Sequence, residues 1–311
     1  MAEPRRVTEL AETPRAVLAA VSPEPLVVGL SGGADSAASA WLACQSAGHV
    51  RAVHIDHGSP HSGTLERAAV RIARRLGLDL QVVRVDVPEG PSYEAQARTV
   101  RHAALLEVAG SDAWVVTGHT RDDQVETLLM RLARGTGIDG LAGMARSQRP
   151  YLRPLLDTTR SEAREMATIA GLDWRDDPSN RDRRYLRNRI RRELVPLLES
   201  VFGPAVATSL HRSADVIRRD IDVLESLAGE VDRCDFEGRI DLAIDDLLRV
   251  GDGTAARAIR NAIRTLQPPY PPSARVVDVA LDVTAGRARR AEIGRLRIDR
   301  RSGRLVLELE R

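Results

Sequence analysis

Between residues 25 and 134 the chain alternates short apolar runs with longer amphipathic segments, and few folds accept that rhythm. PLVVGL (Pro25 to Leu30) is apolar throughout, as a strand covered on both faces must be. A glycine-rich turn follows it, and then a small-residue segment, Ala37 to Ala47, that reads as a helix. VRAVHID (Val50 to Asp56), Leu80 to Val87 and Ala113 to Thr117 read as further strands. Leu65 to Leu76, Tyr93 to Val108 and Asp123 to Arg134 read as the helices between and after them. Strands and helices in alternation predict an α/β fold, a doubly wound parallel sheet with right-handed crossovers. Such sheets bind ligands at the carboxyl ends of their strands, so the turns that follow the strands carry the chemistry.

The rhythm changes near Asp157. Thr159 to Glu199 reads as mostly helical, interrupted by a polar, arginine-dense stretch from Arg175 to Arg192. Gly203 to Leu227 reads as another helix, and Ile240 to Leu266 as alternating acidic and basic helices. PPYPP (Pro268 to Pro272) breaks the chain. RLRIDRRSGRLVLELE (Arg295 to Glu310) predicts a hairpin turning at Ser302-Gly303. A boundary near 200 to 215 is expected, dividing the chain into 1–205 and a smaller, mainly helical domain, 206–311, that ends in the hairpin.

Composition narrows the chemistry. No apolar run approaches the ~20 residues of a membrane span, and MAEPRRVTEL lacks the apolar core of a secretion signal, so a cytoplasmic protein is expected. Cys44 and Cys234 stand alone, outside any metal or cluster spacing. Net charge is only +2, but there is no lysine: all 46 basic residues are arginine. A Walker-type phosphate loop needs a lysine, so phosphate contacts must come from backbone N–H groups, arginine or a metal ion.

Five motifs follow the strands or pack beside them. SGGADS (Ser31 to Ser36) comes directly after PLVVGL. Gly32 and Gly33 let the backbone turn tightly and bring consecutive N–H groups close to an anion, and the following helix points its positive end at the same spot. Ser31 and Ser36 add hydroxyls. Asp35 beside a phosphate requires a cation between them, and nucleotide-bound Mg2+ is that cation. HIDHG (His54 to Gly58) ends the second strand, where His54, Asp56 and His57 either contact a nucleotide or metal or merely hydrogen-bond and cap locally. GHTRDDQVET (Gly118 to Thr127) carries His119, Asp122, Asp123 and Glu126. Acidic residues in a first turn are common dipole partners. Asp123 and Glu126, three apart, share one helical face and repel unless Mg2+ or a substrate ammonium lies between them. YEAQARTVRHAAL (Tyr93 to Leu105) brings Arg98, whose guanidinium suits a phosphate or carboxylate. DDPSNRDRRYLRNRIRRELVPLL (Asp176 to Leu198) is either a solvated charged face or a surface for RNA phosphates.

The first motif resembles the pyrophosphate loop of the N-type ATP pyrophosphatases, which cleave ATP between the α and β phosphates and adenylate a substrate oxygen. The set resembles the tRNA(Ile)-lysidine synthetase family: HxDHG, EAxARxxRY, GHxxDDQxET, an RPLL strand (within Tyr151 to Leu156) and DxSNxDxxxxRNxIR occur in order over roughly 26 to 198. The chain departs from it at Ser59-Pro60, where a leucine and a basic residue are usual, and at His102, where the family has tyrosine. The resemblance implies a ligase using ATP and Mg2+ to join free L-lysine to C2 of the wobble cytidine of the tRNA(Ile) with anticodon CAU. It implies ATP on Ser31 to Ser36 with His54 and Asp56, metal on Asp35 and Asp122, and lysine on Asp123 and Glu126. His119 would lie near the nucleotide, and Arg98, Arg187, Asn188 and Arg191 would bind substrate. Residues 1–205 would be the ATP-binding catalytic domain and 206–311 a tRNA-binding domain. Members of the family are often dimers, and no sequence feature bears on that here. The base that activates lysine stays open among His54, His57, His119 and the carboxylates. A thiolase of the same superfamily generally uses cysteines that this chain lacks, an amidating ligase needs an ammonia source, and a tRNA binder without catalysis would not need Asp35 and Asp123.

Overall fold

A computed structural model of the chain describes residues 3–58, 61–88, 93–268 and 272–310. Contacts divide the chain into two units, Met1–Asp215 and Val216–Arg311. Ser59 and Pro60, and Pro269 to Pro271 of the PPYPP break, lie outside the described residues.

In the first unit, α1 (Glu3–Ala19) leads into β1 (Leu26–Gly29). The alternation then runs α2 (Ala34–Ser46), β2 (Val50–Asp56), α3 (Ser62–Leu76), β3 (Leu80–Arg84), α4 (Tyr93–Ala109), β4 (Trp114–Val116) and α5 (Arg121–Ala133). After a short α6 (Ile138–Leu141) come β5 (Ser147–Gln148) and β6 (Tyr151–Leu152). The sheet order is β3-β2-β1-β4-β6-β5, parallel throughout except for the two-residue edge strand β5. The expected doubly wound parallel sheet is present. The expected RPLL strand is shorter: only Tyr151 and Leu152 pair with β4, and Pro154 to Asp157 form turns.

Side-chain alternation along β1 sends its two faces to different cores. Leu26 and Val28 pack with α1, α2, α3 and α7 (Arg160–Ile169), while Val27, Val53 and Val115 pack with Ala104, Leu105 and Ala109 of α4. β1 lies between β2 and β4, so the direction of winding reverses at β1/β4, and a crevice opens above the ends of those strands. The loops Ser31 to Ser36 and Gly118 to Asp123 stand on either side of it.

Beyond α7 the backbone turns through a 3-10 segment (Pro178–Arg181), α8 (Leu186–Arg189), a π turn (Ile190–Leu194) and α9 (Val195–Phe202). The long α10 (Val206–Gly229) begins in this unit and continues into the second.

The second unit is helical with one antiparallel sheet. It contains β7 (Arg233–Phe236), β8 (Arg239–Ala243), α11 (Ile244–Arg249), α12 (Asp252–Leu266), α13 (Ala274–Thr284), β9 (Arg290–Ile293), β10 (Leu296–Arg301) and β11 (Arg304–Leu309). The terminal hairpin is present in the expected register, Arg301 pairing with Arg304 across Ser302-Gly303. Both turn residues have positive φ, 48° and 76°, as a two-residue hairpin turn matching strand twist requires. The hairpin belongs to a five-stranded sheet, β7-β8-β11-β10-β9. Ile240 to Leu266 is not all helix as the sequence predicts: Ile240 to Ala243 is part of strand β8, with Ile240 and Leu242 in the core. No single described helix is long and apolar enough to cross a membrane.

Candidate active site

The loop after β1 is tied by its own serines, Gly33 N–H donating to Ser31 Oγ at 3.4 Å. Ser36 Oγ donates to Gly33 O (2.9 Å) and accepts from Ser31 N–H (3.1 Å), so side chains tie the loop without using the first N–H groups of α2. Glycine is required at two contacts. Gly32 has φ +89°, and a Cβ there would lie 2.3 Å from Leu65 O. A Cβ on Gly118 would lie 2.7 Å from the backbone of Asp35, so only glycine lets the β4 loop press against the start of α2.

A cavity of about 730 Å³ opens over these loops. Ser31, Gly33, Ala34, Asp35, Ser36, His54, His119, Asp123 and Arg191 of the predicted set line it. Gly32, Asp56, Arg98, Asp122, Glu126, Arg187 and Asn188 do not.

Asp35 has one buried oxygen, Oδ1, without a hydrogen-bond partner, and the other lies 3.7 Å from Arg160 Nε. Burial, and then the charge of Asp123, pushes its carboxyl up to about 7. A buried, unpartnered carboxylate oxygen beside an anion loop fits a divalent cation on a nucleotide. His54 donates Nδ1–H to Leu30 O (2.9 Å), which pins β2 to the end of β1 and leaves Nε2 as the free nitrogen. Asp56 accepts from Gly58 N–H (2.9 Å), the local capping role that the sequence left open. That bond, assisted by Ser62, lowers its pKa. His119 Nδ1 is 2.9 Å from Thr117 Oγ1. Burial holds its imidazole well below its usual pKa, hence neutral.

Asp123 and Glu126 do lie side by side, but the space between them is not open. Asp123 Oδ2 accepts from Thr120 N–H (2.8 Å) and Thr120 Oγ1 (2.9 Å), so this carboxylate caps its own helix. Its Oδ1 meets Arg160 (3.0 Å), Arg187 (3.1 Å) and Arg191 (3.5 Å). Glu126, 2% exposed, meets Arg187 Nε (2.7 Å), Arg191 Nε (2.6 Å) and Arg160 Nη2 (3.4 Å). Burial opposes charge on Asp123, yet Arg187 and Arg160 outweigh it and hold the carboxyl well below the usual range. Three guanidiniums therefore fill the place the sequence assigns to Mg2+ or an ammonium. Asp122 Oδ2 accepts the Arg160 backbone N–H (2.8 Å) and so caps α7.

The arginine segment divides by direction. Arg187 and Arg191 point inward to Asp123 and Glu126, whereas Arg183 and Arg184 are 78% and 84% exposed. Arg181 is exposed, and both it and Arg192 line the cavity. Buried Asn188 donates Nδ2 to Ser179 O and Asp182 O, holding the loop before α8 in place. Arg98 is desolvated and near Arg187, Arg101 and Arg153, which together bring its pKa to about 10. The motifs do not point to Arg160. The signal for it is Thr159–Glu162, a capping box closed by reciprocal bonds (3.1 and 2.7 Å). It places a cation on a helix's first turn, where the dipole disfavours it.

A family model described as PP-loop domain matches residues 5–198. A tRNA(Ile)-lysidine synthase of Thermobifida fusca is 39% identical over 76% of this chain and 74% of its own length. One of Salinispora tropica is 44% identical over 66% of each chain. Among solved structures, the U34-tRNA thiolase NcsA of Methanococcus maripaludis overlays with a TM-score of 0.55 at 18% identity, covering 68% of this chain and 80% of that one, a likeness of fold. With the Ser31 to Ser36 loop and the acid-bearing helix meeting at one cavity, and with these matches, the chain belongs to the tRNA(Ile)-lysidine synthase family, ligases built on an ATP-binding PP-loop domain.

Proposed function

We propose that the protein joins free L-lysine to C2 of the wobble cytidine in a tRNA(Ile) with anticodon CAU, through an adenylated cytidine, releasing pyrophosphate and AMP. One observation carries the reading: the Ser31 to Ser36 loop and Asp123, whose buried neighbour Glu126 shares its guanidinium partners, meet at one cavity of about 730 Å³, as the joining of an activated oxygen to an amine requires.

Ser31 to Ser36 hold the ATP phosphates through backbone N–H groups. Asp35 is the residue that fits Mg2+, which when bound draws charge from the phosphates. The cytidine leaves the anticodon stack, at small cost in a single-stranded loop. Its O2 attacks the α-phosphorus and the bond to the β-phosphate oxygen breaks. Asp123 and Glu126 bind a lysine ammonium, exchanging one guanidinium partner for it. A deprotonated lysine amine adds to C2, and the C2–O bond breaks to release AMP. Lysidine pairs with adenosine, so the codon read changes from AUG to AUA.

Arg181, Arg183, Arg184 and Arg192, with the second unit, supply the tRNA contacts, and the cytoplasm, where tRNA and ATP meet, is the place of work. The test is incorporation of labelled lysine into unmodified isoleucine tRNA bearing CAU, with ATP and Mg2+, against methionine tRNA with the same anticodon. Label on the isoleucine tRNA alone supports the reading. ATP cleavage to AMP that needs tRNA but leaves no label would exclude lysine as the nucleophile. Absence of both would leave a nucleotide-binding tRNA protein.

A further inference from the structure

Arg160 is the first residue of α7, and its side chain, 16% exposed, reaches carboxylates from two separate motifs. Nη2 is 3.0 Å from Asp123 Oδ1 and 3.4 Å from Glu126 Oε1, while Nε is 3.7 Å from Asp35 Oδ2. Its backbone N–H donates to Asp122 Oδ2 at 2.8 Å, which fixes where the side chain starts. Arg187 and Arg191 share Asp123 and Glu126, but among the described residues Arg160 alone brings a cationic nitrogen within 4.0 Å of Asp35.

We propose that Arg160 is a positioning residue for both halves of the reaction. Its guanidinium joins the phosphate-loop carboxylate Asp35 to the amine-side pair Asp123 and Glu126 and so sets the spacing between the two sites. The proposal rests on the function proposed above.

The charges require such a bridge. Asp35 and Asp123 stand in the first turns of helices that follow different strands, and they repel, which is one cause of the raised pKa of Asp35. A planar fork with donors on separate nitrogens spans groups that lie on different sides of it, a wider reach than the compact point charge of an ammonium. The position has a cost of its own: a cation in a helix's first turn opposes the dipole. Arg160 remains charged because its carboxylate neighbours, led by Asp123 and Glu126, outweigh its burial. In a reaction with two steps in one cavity, an error of about 1 Å in that spacing costs ~100-fold in rate.

The experiment uses the full chain and the variants Arg160→Gln and Arg160→Lys, each with a thermal melt. Two readouts separate the halves: tRNA-dependent ATP–pyrophosphate exchange without lysine, and the lysine concentration giving half-maximal ligation. Arg160→Gln is expected to slow exchange by about tenfold or more and to raise the lysine requirement by a similar factor, with Arg160→Lys recovering part of each. A change in one readout alone, or in neither, overturns the bridging role. Should Arg160→Gln fail to fold, Arg160→Lys decides: both readouts displaced in a folded protein supports the role, and both at the unmodified level overturns it. An unmodified chain that shows neither exchange nor ligation fails the function itself, a separate result.

Discussion

At the scale of single residues, Gly118 and Asp35 are the sharpest to test, because they touch. Alanine at Gly118 places a methyl group 2.7 Å from the Asp35 backbone, which is neither flexible nor able to retreat without moving α2. Gly118→Ala should cost about 1–3 kcal/mol of stability and weaken ATP binding at least tenfold, both read by calorimetry. Normal ATP affinity would mean that the loop tolerates the shift. Asp35 supplies the pH dependence. Its carboxyl, pushed up to about 7 by burial and Asp123, is protonated below that pH and cannot ligate a metal. Mg2+ affinity should therefore rise as pH rises, by about tenfold per unit below 7, and level off above. Asp35→Asn should bind Mg2+ weakly and without that slope. Equal affinity at pH 6 and pH 8 in the unmodified chain would remove Asp35 from the metal's ligands. Asp35 was legible because its motif sets an aspartate and two glycines beside a strand end, whereas the close approach of Gly118 was not, because it depends on where α2, more than 80 positions earlier, meets the β4 loop. Arg160 was not, because its partners are 34 to 38 positions away in the GHTRDDQVET segment and farther still in the phosphate loop.

At the scale of elements, the segment from Arg181 to Arg192 looks uniform in sequence and is not uniform in space. α8 and the π turn wind so that Arg187 and Arg191 face α5, while Arg183 and Arg184 face solvent. The periodicity could not reveal this, since the π turn shifts the phase after Arg189 and Asp182 and Asn188 fold the preceding loop by side-chain bonds. The two faces should respond differently to mutation. Replacing Arg181, Arg183, Arg184 and Arg192 with glutamine should leave thermal stability within about 0.5 kcal/mol per site. It should make the salt dependence of tRNA binding shallower by about one unit of log–log slope for each phosphate no longer neutralised. Arg187→Gln should do the reverse: the slope stays, and stability falls by about 1–3 kcal/mol because the 2%-exposed Glu126 loses a short charged bond. A stable Arg187→Gln chain with a shallower slope would place Arg187 on the RNA instead.

For the whole molecule, the parallel sheet was legible because each strand is a short apolar run and each crossover a full amphipathic helix. The second sheet was not: β7, β8 and β9 are four or five residues long, too short for a period to show, and the pairing that joins them into one sheet, β8 with β11, links segments some 60 residues apart in the sequence. The buried clusters follow the same division. One group of cores joins the parallel sheet to α1, α2, α3, α4 and α7, and a separate core, from Ala228 to Leu307, fills the second unit. Two cores joined through α10 should unfold as two transitions rather than one. ATP with Mg2+ is proposed to bind residues of the first unit alone, all of the cavity's lining lying before Val216. At about 100-fold over its dissociation constant it should stabilise that unit by ~2.7 kcal/mol and leave the other transition in place. Scanning calorimetry with and without nucleotide reads both at once. A single transition that moves as a whole would show that the units unfold as one cooperative body. Two transitions of which only the second unit's moves would put the nucleotide on the wrong core, and the phosphate loop with it.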